Sequence, residues 1–155
     1  MSSLALSYIV NLLSRREYSE FELRCKMQEK AFSEDEINQA LSQAQQKHWQ
    51  GDKRFTENYI HARAQRGYGF NRIQQELKQL KGIRAQVIDE IMAELEVDWS
   101  ALARNTLRKK FPDYAKCKDP KAKQKIWRYM LSHGFCADDF KQYIGMPKEE
   151  AEWEI

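Results

Sequence analysis

The sequence predicts an all-α protein in which three tandem three-helix repeats, each of helix-turn-helix type, form an elongated, curved body. Three observations predict this fold class: a composition that favours helices, an apolar pattern that recurs three times, and helix-capping residues at the breaks in that pattern. The chain has 155 residues, of which 42% are hydrophobic and 32% charged, but only six are Gly and three are Pro. Such a composition is typical of helices with solvated outer faces around a modest core.

The apolar pattern has five positions in each repeat. They are Leu23, Met27, Phe32, Ile37 and Leu41, then Ile73, Leu77, Ile83, Ile88 and Met92, then Ile126, Met130, Phe135, Phe140 and Ile144. A step of four residues places two side chains on one face of a helix, whereas the central step of five or six requires a break between two helices. We therefore place three repeats along the chain, with an acidic tail after them, at residues 1–50, 51–99, 100–146 and 147–155.

In the first repeat, an amphipathic helix is predicted from Leu4 to Leu13, ahead of the pair of helices that carries the apolar pattern. Ser19 followed by Glu22 has the spacing of a capping box, and so has Ser33 followed by Glu36. In this motif the two side chains satisfy N–H groups that the first turn of a helix leaves without partners. The two boxes therefore predict where the second and third helices begin.

In the second repeat, the leading helix is predicted from Lys53 to Arg66, with Asp52 as its N-cap. Gly82 lies at the break in the apolar pattern, and Gly134 lies at the matching break of the third repeat. Glycine commonly ends helices because it adopts the left-handed conformation without a steric cost. Both glycines are therefore predicted to end a helix.

In the third repeat, the leading helix is predicted from Ala101 to Phe111, with Ser100 or Asp98 as its N-cap. Pro112 and Pro120 bracket a connection that is rich in lysine, and the middle helix is predicted to begin at Pro120. We expect this connection to be an exposed basic loop.

Basic side chains are concentrated in the third repeat. The net charge of the whole chain is +3, whereas residues 104–128 contain ten Lys or Arg and two Asp. Such a stretch indicates an anionic partner, although a solvated face whose lysine stems cover apolar surface has the same pattern. A second cluster, near residues 53–72, is mixed with acids and is more typical of a protein-binding surface. The candidate partner- or DNA-binding residues are Lys53, Arg54, Arg63, Arg66, Arg72, Arg104, Arg108, Lys109, Lys110, Lys121, Lys125 and Arg128.

The sequence contains no motif for phosphate transfer, metal-dependent hydrolysis or serine hydrolysis. Gly67 and Gly69 lie between two predicted helices, where they indicate a C-cap and a tight turn instead of a nucleotide cradle. His133, Cys117 and Cys136 lack a fourth zinc ligand at a usual spacing. We therefore expect no catalytic residue, no metal and no cofactor, and an enzyme of unknown type is the least favoured function.

The expected location is the cytoplasm. No apolar run approaches the roughly 18 residues that a membrane span requires, and the N-terminal segment lacks a basic leader and a cleavage site. The three cysteines are scattered, which is typical of a reducing compartment. We expect a monomer that does not bind membranes.

Several short segments, mainly in the first two repeats, are specific enough to indicate a family. They are Leu12-Leu13-Ser14-Arg15-Arg16-Glu17-Tyr18-Ser19 with Glu22-Leu23-Arg24, Asp52-Lys53-Arg54-Phe55-Thr56-Glu57, Arg63 with Arg66-Gly67-Tyr68-Gly69, Arg72-Ile73 with Glu76-Leu77, and Lys81-Gly82-Ile83. With these segments the chain resembles the RecX family of bacterial recombination regulators. The resemblance covers about residues 4–145, but in the third repeat it is limited to the helix pattern.

The resemblance implies a regulatory protein that binds the RecA filament in its groove on single-stranded DNA. It further implies inhibition of RecA ATPase, strand exchange and coprotease activity, and thereby a role in recombination, DNA repair and the SOS response. The basic residues leave open whether single-stranded DNA is contacted directly. The alternative function is a helical module that binds single-stranded nucleic acid without sequence preference and without RecA.

Overall fold

The computed structural model describes residues 3–145, and within this range it contains α-helices and no β-strand. A short 3₁₀ turn, Tyr114–Lys116, lies in the connection after the seventh helix. The all-α class and the nine predicted helices are confirmed, whereas the predicted acidic tail, 147–155, lies outside the described residues. The helices are α1 (Leu4–Leu13), α2 (Glu20–Glu29), α3 (Glu34–Gln46), α4 (Asp52–Gln65), α5 (Phe70–Gln79), α6 (Ala85–Leu95), α7 (Trp99–Lys110), α8 (Pro120–Ser132) and α9 (Ala137–Ile144).

The recurring apolar positions form the core, as predicted. All of them are buried except Phe32 and Met92, which are partly buried. On α6 the buried residues are Ile88 and Ile91, whereas the predicted Met92 is only partly buried. A spacing of three residues places two side chains on one helix face, as a spacing of four does. Burial of each such side chain stabilises the fold by about 1.5–3 kcal/mol.

The helix starts follow the predicted caps, with one difference. Both capping boxes are present, at Ser19 for α2 and at Ser33 for α3. Asp98, and not Ser100, caps α7, since its carboxylate accepts the N–H of Ala101. The prediction of Asp52 as an N-cap is wrong by one residue, because Asp52 is the first residue of α4. Its carboxylate accepts the backbone N–H of Glu20 instead, at 2.9 Å.

The chain forms two compact units. Within the described residues, the first unit consists of the chain up to Tyr59 together with Gln75–Leu95. The second unit consists of Ile60–Gln74 together with the chain from Glu96 onward. The predicted repeat boundaries at residues 50 and 99, and the predicted elongated outline, stay predictions.

In the first unit, α1, α2 and α3 enclose a core that includes Ile9, Leu23 and Met27. The carboxylate of Glu22 lies at the edge of this core, with 13% of its side chain exposed. Its Oε2 lies 2.9 Å from Nζ of Lys81 and 3.2 Å from Nη2 of Arg16. Burial on its own would raise the pKa of Glu22, but hydrogen bonds from Lys81, the Ser19 N–H and Arg16 outweigh it and lower the pKa.

We expect Glu22→Gln to destabilise the protein by about 1–2 kcal/mol at pH 7, because a charge-assisted hydrogen-bond network is lost. A lowered folded-state pKa means that the unfolded chain binds the proton more tightly. The contribution of Glu22 is therefore fully present above the pKa of an unfolded glutamate, about 4.3, and is lost as the pH falls through the lower folded-state pKa. Urea unfolding between pH 3 and 7 measures this change.

Glu36→Gln provides the matched control. Glu36 occupies the same position in the capping box of α3, is exposed, and has no ion pair within residues 3–145. We expect its substitution to cost less at pH 7 than Glu22→Gln does. Equal losses for the two variants at every pH would contradict the role assigned to the Glu22 ion pairs.

In the second unit, α7, α8 and α9 pack around Leu107, Trp127 and Phe140. The segment after α4 lies directly on the turn between α8 and α9. The Gly69 N–H donates to the carbonyl of His133 at 2.7 Å, and the Asn71 N–H donates to the carbonyl of Gly134 at 3.0 Å. This close crossing of two backbones fixes the end of α4 within the unit.

Candidate functional site

A concave pocket of about 670 Å³ lies within the second unit. Its walls are the end of α4 with the turn that follows, the C-terminal half of α7, and Tyr129 of α8. Pockets of a few hundred Å³ are of the size that binds small ligands. This pocket is therefore the candidate site.

Four basic residues line the pocket: Arg66, Arg108, Lys109 and Lys110. All four are exposed, and none of the residues that line the pocket within 3–145 is acidic. None of the four forms an ion pair with another residue of the described range. The structure thus brings together a residue from the second predicted repeat and three from the third.

Gly67 lies where the two walls of the pocket approach each other closely. Its φ of +94° is in the left-handed region, and a Cβ added there would lie 3.3 Å from Oγ1 of Thr106 on α7. Thr106 is 8% exposed, and its hydroxyl donates to the carbonyl of Leu102. The C-cap role predicted for Gly67 is therefore combined with a close approach between the turn and α7.

Beside the pocket, four rings form what we call the aromatic column: Tyr68, His133, Tyr129 and Phe111. The centroid of His133 lies 4.0 Å from that of Tyr129 and 5.3 Å from that of Tyr68, and both pairs are stacked. Phe111 contacts Tyr129 edge to face at 5.2 Å. The column connects the turn after α4, the end of α8 and the residue that follows α7.

Cations lie against two rings of the aromatic column, Tyr68 and Tyr129. The guanidinium carbons of Arg63 and Arg72 lie 4.0 and 4.5 Å from the ring centre of Tyr68. Nζ of Lys110 lies 5.5 Å from the ring centre of Tyr129. Each contact of this kind contributes about 0.5–1 kcal/mol where it is exposed, so the rings position the basic side chains.

Three further candidate residues, Lys121, Lys125 and Arg128, form a basic stripe on α8. Steps of four and three residues place them on one helix face, and all three are exposed. The guanidinium carbon of Arg104, on α7, lies 5.7 Å from the ring centre of Tyr143. These residues lie outside the lining of the pocket.

The cluster predicted near residues 53–72 is divided between the two units. Lys53 and Arg54 belong to the first unit, whereas Arg63, Arg66 and Arg72 belong to the second. Lys53 pairs with Glu90, with 3.1 Å between Nζ and Oε2.

Arg54 is engaged within the first unit. It donates to both carboxylate oxygens of Glu17, at 3.1 and 3.2 Å, and to the carbonyls of His48 and Trp49, at 2.7 and 2.8 Å. Its guanidinium therefore joins α4 to Glu17 and to the segment that follows α3, a role for which the sequence has no signal.

In residues 3–145, no helix is both long enough and apolar enough to cross a bilayer. No group of three or more His, Cys, Asp or Glu side chains in the same range is arranged to hold a metal ion.

Comparison with known proteins identifies relatives over nearly the full chain. The models of the first, second and third three-helix domains of RecX match residues 5–43, 52–92 and 96–144. The regulatory protein RecX of Mannheimia succiniciproducens is 67% identical over 97% of this chain and 98% of its own length. That of Haemophilus influenzae strain PittEE is 62% identical over 99% of this chain and its entire length. The crystal structure of RecX from Lactobacillus salivarius is similar in fold, with a TM-score of 0.75 and 21% identity, and the match covers 90% of this chain and 92% of that one.

Proposed function

The chain belongs to the RecX family of regulatory proteins, and from this membership we propose that it binds the RecA nucleoprotein filament in its groove and inhibits RecA. The inhibited activities are ATP hydrolysis, strand exchange and coprotease activity. The protein would thereby modulate recombination, DNA repair and the SOS response in the cytoplasm. The observation that carries the proposal is the match of all three RecX domain models, in order, along the chain.

The proposed mode of action is binding without catalysis. A protein that contacts several neighbouring RecA protomers has higher affinity for the assembled filament than for free subunits. It therefore stabilises one filament state and opposes the motions that ATP turnover requires. The exposed cations of the second unit support this mode, because acidic protein surface and DNA phosphates both attract them.

The test is the RecA ATPase on single-stranded DNA, measured with increasing amounts of the purified protein. We expect inhibition at substoichiometric amounts, since one bound molecule restrains more than one RecA protomer. Unchanged ATP hydrolysis at equimolar protein would contradict the proposed function.

Charge reversal at the end of α7 tests whether the second unit contributes to the inhibition of RecA. We expect Arg108→Glu, Lys109→Glu and Lys110→Glu together to raise the inhibitory concentration at least tenfold, because three attractions become repulsions. Lys30→Glu, Lys78→Glu and Arg84→Glu make the same change in net charge at exposed positions of the first unit and form the control. Equal inhibition by both triple variants would remove the end of α7 from the mechanism.

A second candidate function is binding of single-stranded nucleic acid without RecA. The basic stripe of Lys121, Lys125 and Arg128 favours it, since three exposed cations on one helix face match a row of phosphates. The discriminating measurement is the affinity for an oligothymidine at physiological salt. Tight, salt-dependent binding without RecA would favour this candidate.

A further inference from the structure

The pocket of the second unit has the chemistry of a site for a compact polyanion. We propose that it binds a polyphosphate group, either free or carried by a nucleotide, in the absence of RecA. The ligand would occupy the space between the turn after α4 and the end of α7. Such binding does not depend on the filament, so it can be tested separately from the proposed function.

The charge of the lining favours an anionic ligand. Arg66, Arg108, Lys109 and Lys110 all line one concave space, with no acidic residue of the described range among the lining. Like charges that line one pocket repel one another, and this repulsion disfavours the folded unit. An anion that binds there only in the folded state removes the repulsion and stabilises the fold.

The position of these cations at two helix ends also favours an anionic ligand. Basic residues in the last turn of a helix are favourable because they interact with the negative end of the helix dipole, and this accounts for Arg108, Lys109 and Lys110 at the end of α7. It also accounts for Arg66, just after α4. The dipole does not explain why two such helix ends converge on one pocket, at a place where a Cβ added to Gly67 would lie only 3.3 Å from Oγ1 of Thr106.

The donors present fit phosphate oxygens. Two guanidinium groups can each donate a pair of parallel hydrogen bonds to a phosphate, and two ammonium groups add point charges. Asn105, which also lines the pocket, adds an amide that donates hydrogen bonds. A phosphodiester strand carries one charge per nucleotide, whereas a chain of linked phosphates concentrates its charge in a volume that the pocket can enclose.

The same lining predicts that the pocket recognises the phosphate groups of a nucleotide and not its base. The ring of Tyr129 is already stacked on His133 and packed against Phe111, so it is committed to the aromatic column. We therefore expect the number of linked phosphates, and not the identity of a base, to determine affinity. Tripolyphosphate, ATP and GTP should bind with similar affinities, and inorganic monophosphate should bind at least tenfold more weakly.

The experiment is calorimetric titration of the full chain, without RecA and without Mg²⁺, at constant ionic strength. Sodium tripolyphosphate, ATP, GTP, monophosphate and a short oligothymidine are the titrants. The pocket variant is Arg66→Gln with Lys109→Gln, and the matched control is Arg84→Gln with Lys78→Gln in the first unit. All four substituted side chains are exposed, so both variants are expected to fold.

We expect one tripolyphosphate per chain, at least tenfold weaker binding to the pocket variant, and unchanged binding to the control. The comparison of tripolyphosphate with ATP and GTP shows whether a nucleoside adds to the affinity. Loss of binding in the control instead of the pocket variant would overturn the proposal, and so would the absence of saturable binding. Binding of the oligothymidine but not of tripolyphosphate, with loss of that binding in the pocket variant, would assign the pocket to a nucleic-acid backbone and would also overturn it.

Discussion

Replacing Gly69 by alanine is expected to destabilise the second unit by about 3 kcal/mol, because the added methyl group would overlap backbone atoms of a neighbouring turn. A Cβ at this position would lie 2.4 Å from both the carbonyl carbon of Gly134 and the amide nitrogen of Phe135. These are backbone atoms in the turn between α8 and α9, so they cannot rotate away as a side chain could. Separating the two backbones would also lengthen the hydrogen bonds made by the N–H groups of Gly69 and Asn71.

Urea unfolding followed by circular dichroism measures this loss, and Gly51→Ala is the matched control. No atom lies within 4 Å of a Cβ added to Gly51. Its φ is not in the left-handed region, so alanine is expected to leave the stability unchanged or to raise it by up to about 1 kcal/mol through the unfolded state. Equal unfolding midpoints for the two variants would show that the crossing at Gly69 relaxes without a cost.

The contrast between local and distant signals explains how much of the fold is predictable from the sequence. The bounds of α1 and the two capping boxes depend on residues within one or two helical turns, and all were predicted correctly. The crossing of Gly69 and Gly134 joins turns that are far apart in the chain. Each glycine indicates a turn, but nothing in a single sequence indicates that the two turns touch.

The residues of the candidate site also include some that the sequence indicates and some that it does not. The basic residues were identified because charge clusters are visible in the sequence, and Arg108, Lys109 and Lys110 are consecutive. Tyr129 and Asn105 were missed, since only the folded chain brings them beside Arg66.

The aromatic column was missed for the same reason. Tyr68 and His133 carry no shared motif, and their stacking results from the crossing of the two turns. Side chains whose neighbours are far away in the chain are thus the part of the site that requires a structure.

Replacing Ser19 by alanine is expected to destabilise the first unit by about 2–3 kcal/mol. Ser19 is fully buried, and its hydroxyl accepts the N–H of Glu22 at 3.2 Å while donating to the carbonyl of Lys81 at 2.8 Å. Alanine removes both hydrogen bonds. It leaves a helix N–H and a backbone carbonyl of the same unit without partners, and each unsatisfied buried group costs about 1–3 kcal/mol.

Ser33→Ala separates the two contributions. Ser33 caps α3 with nearly the same backbone geometry and the same reciprocal bond to a glutamate three residues later, but it is exposed and makes no long-range hydrogen bond within residues 3–145. Its substitution is expected to cost about 1 kcal/mol, the usual value for an N-cap serine. The excess loss in Ser19→Ala, measured by urea unfolding, is the contribution of the bond to Lys81. If the two substitutions lower the free energy of unfolding equally, the bond to Lys81 contributes nothing, and the capping box alone explains why a serine is buried at the start of α2.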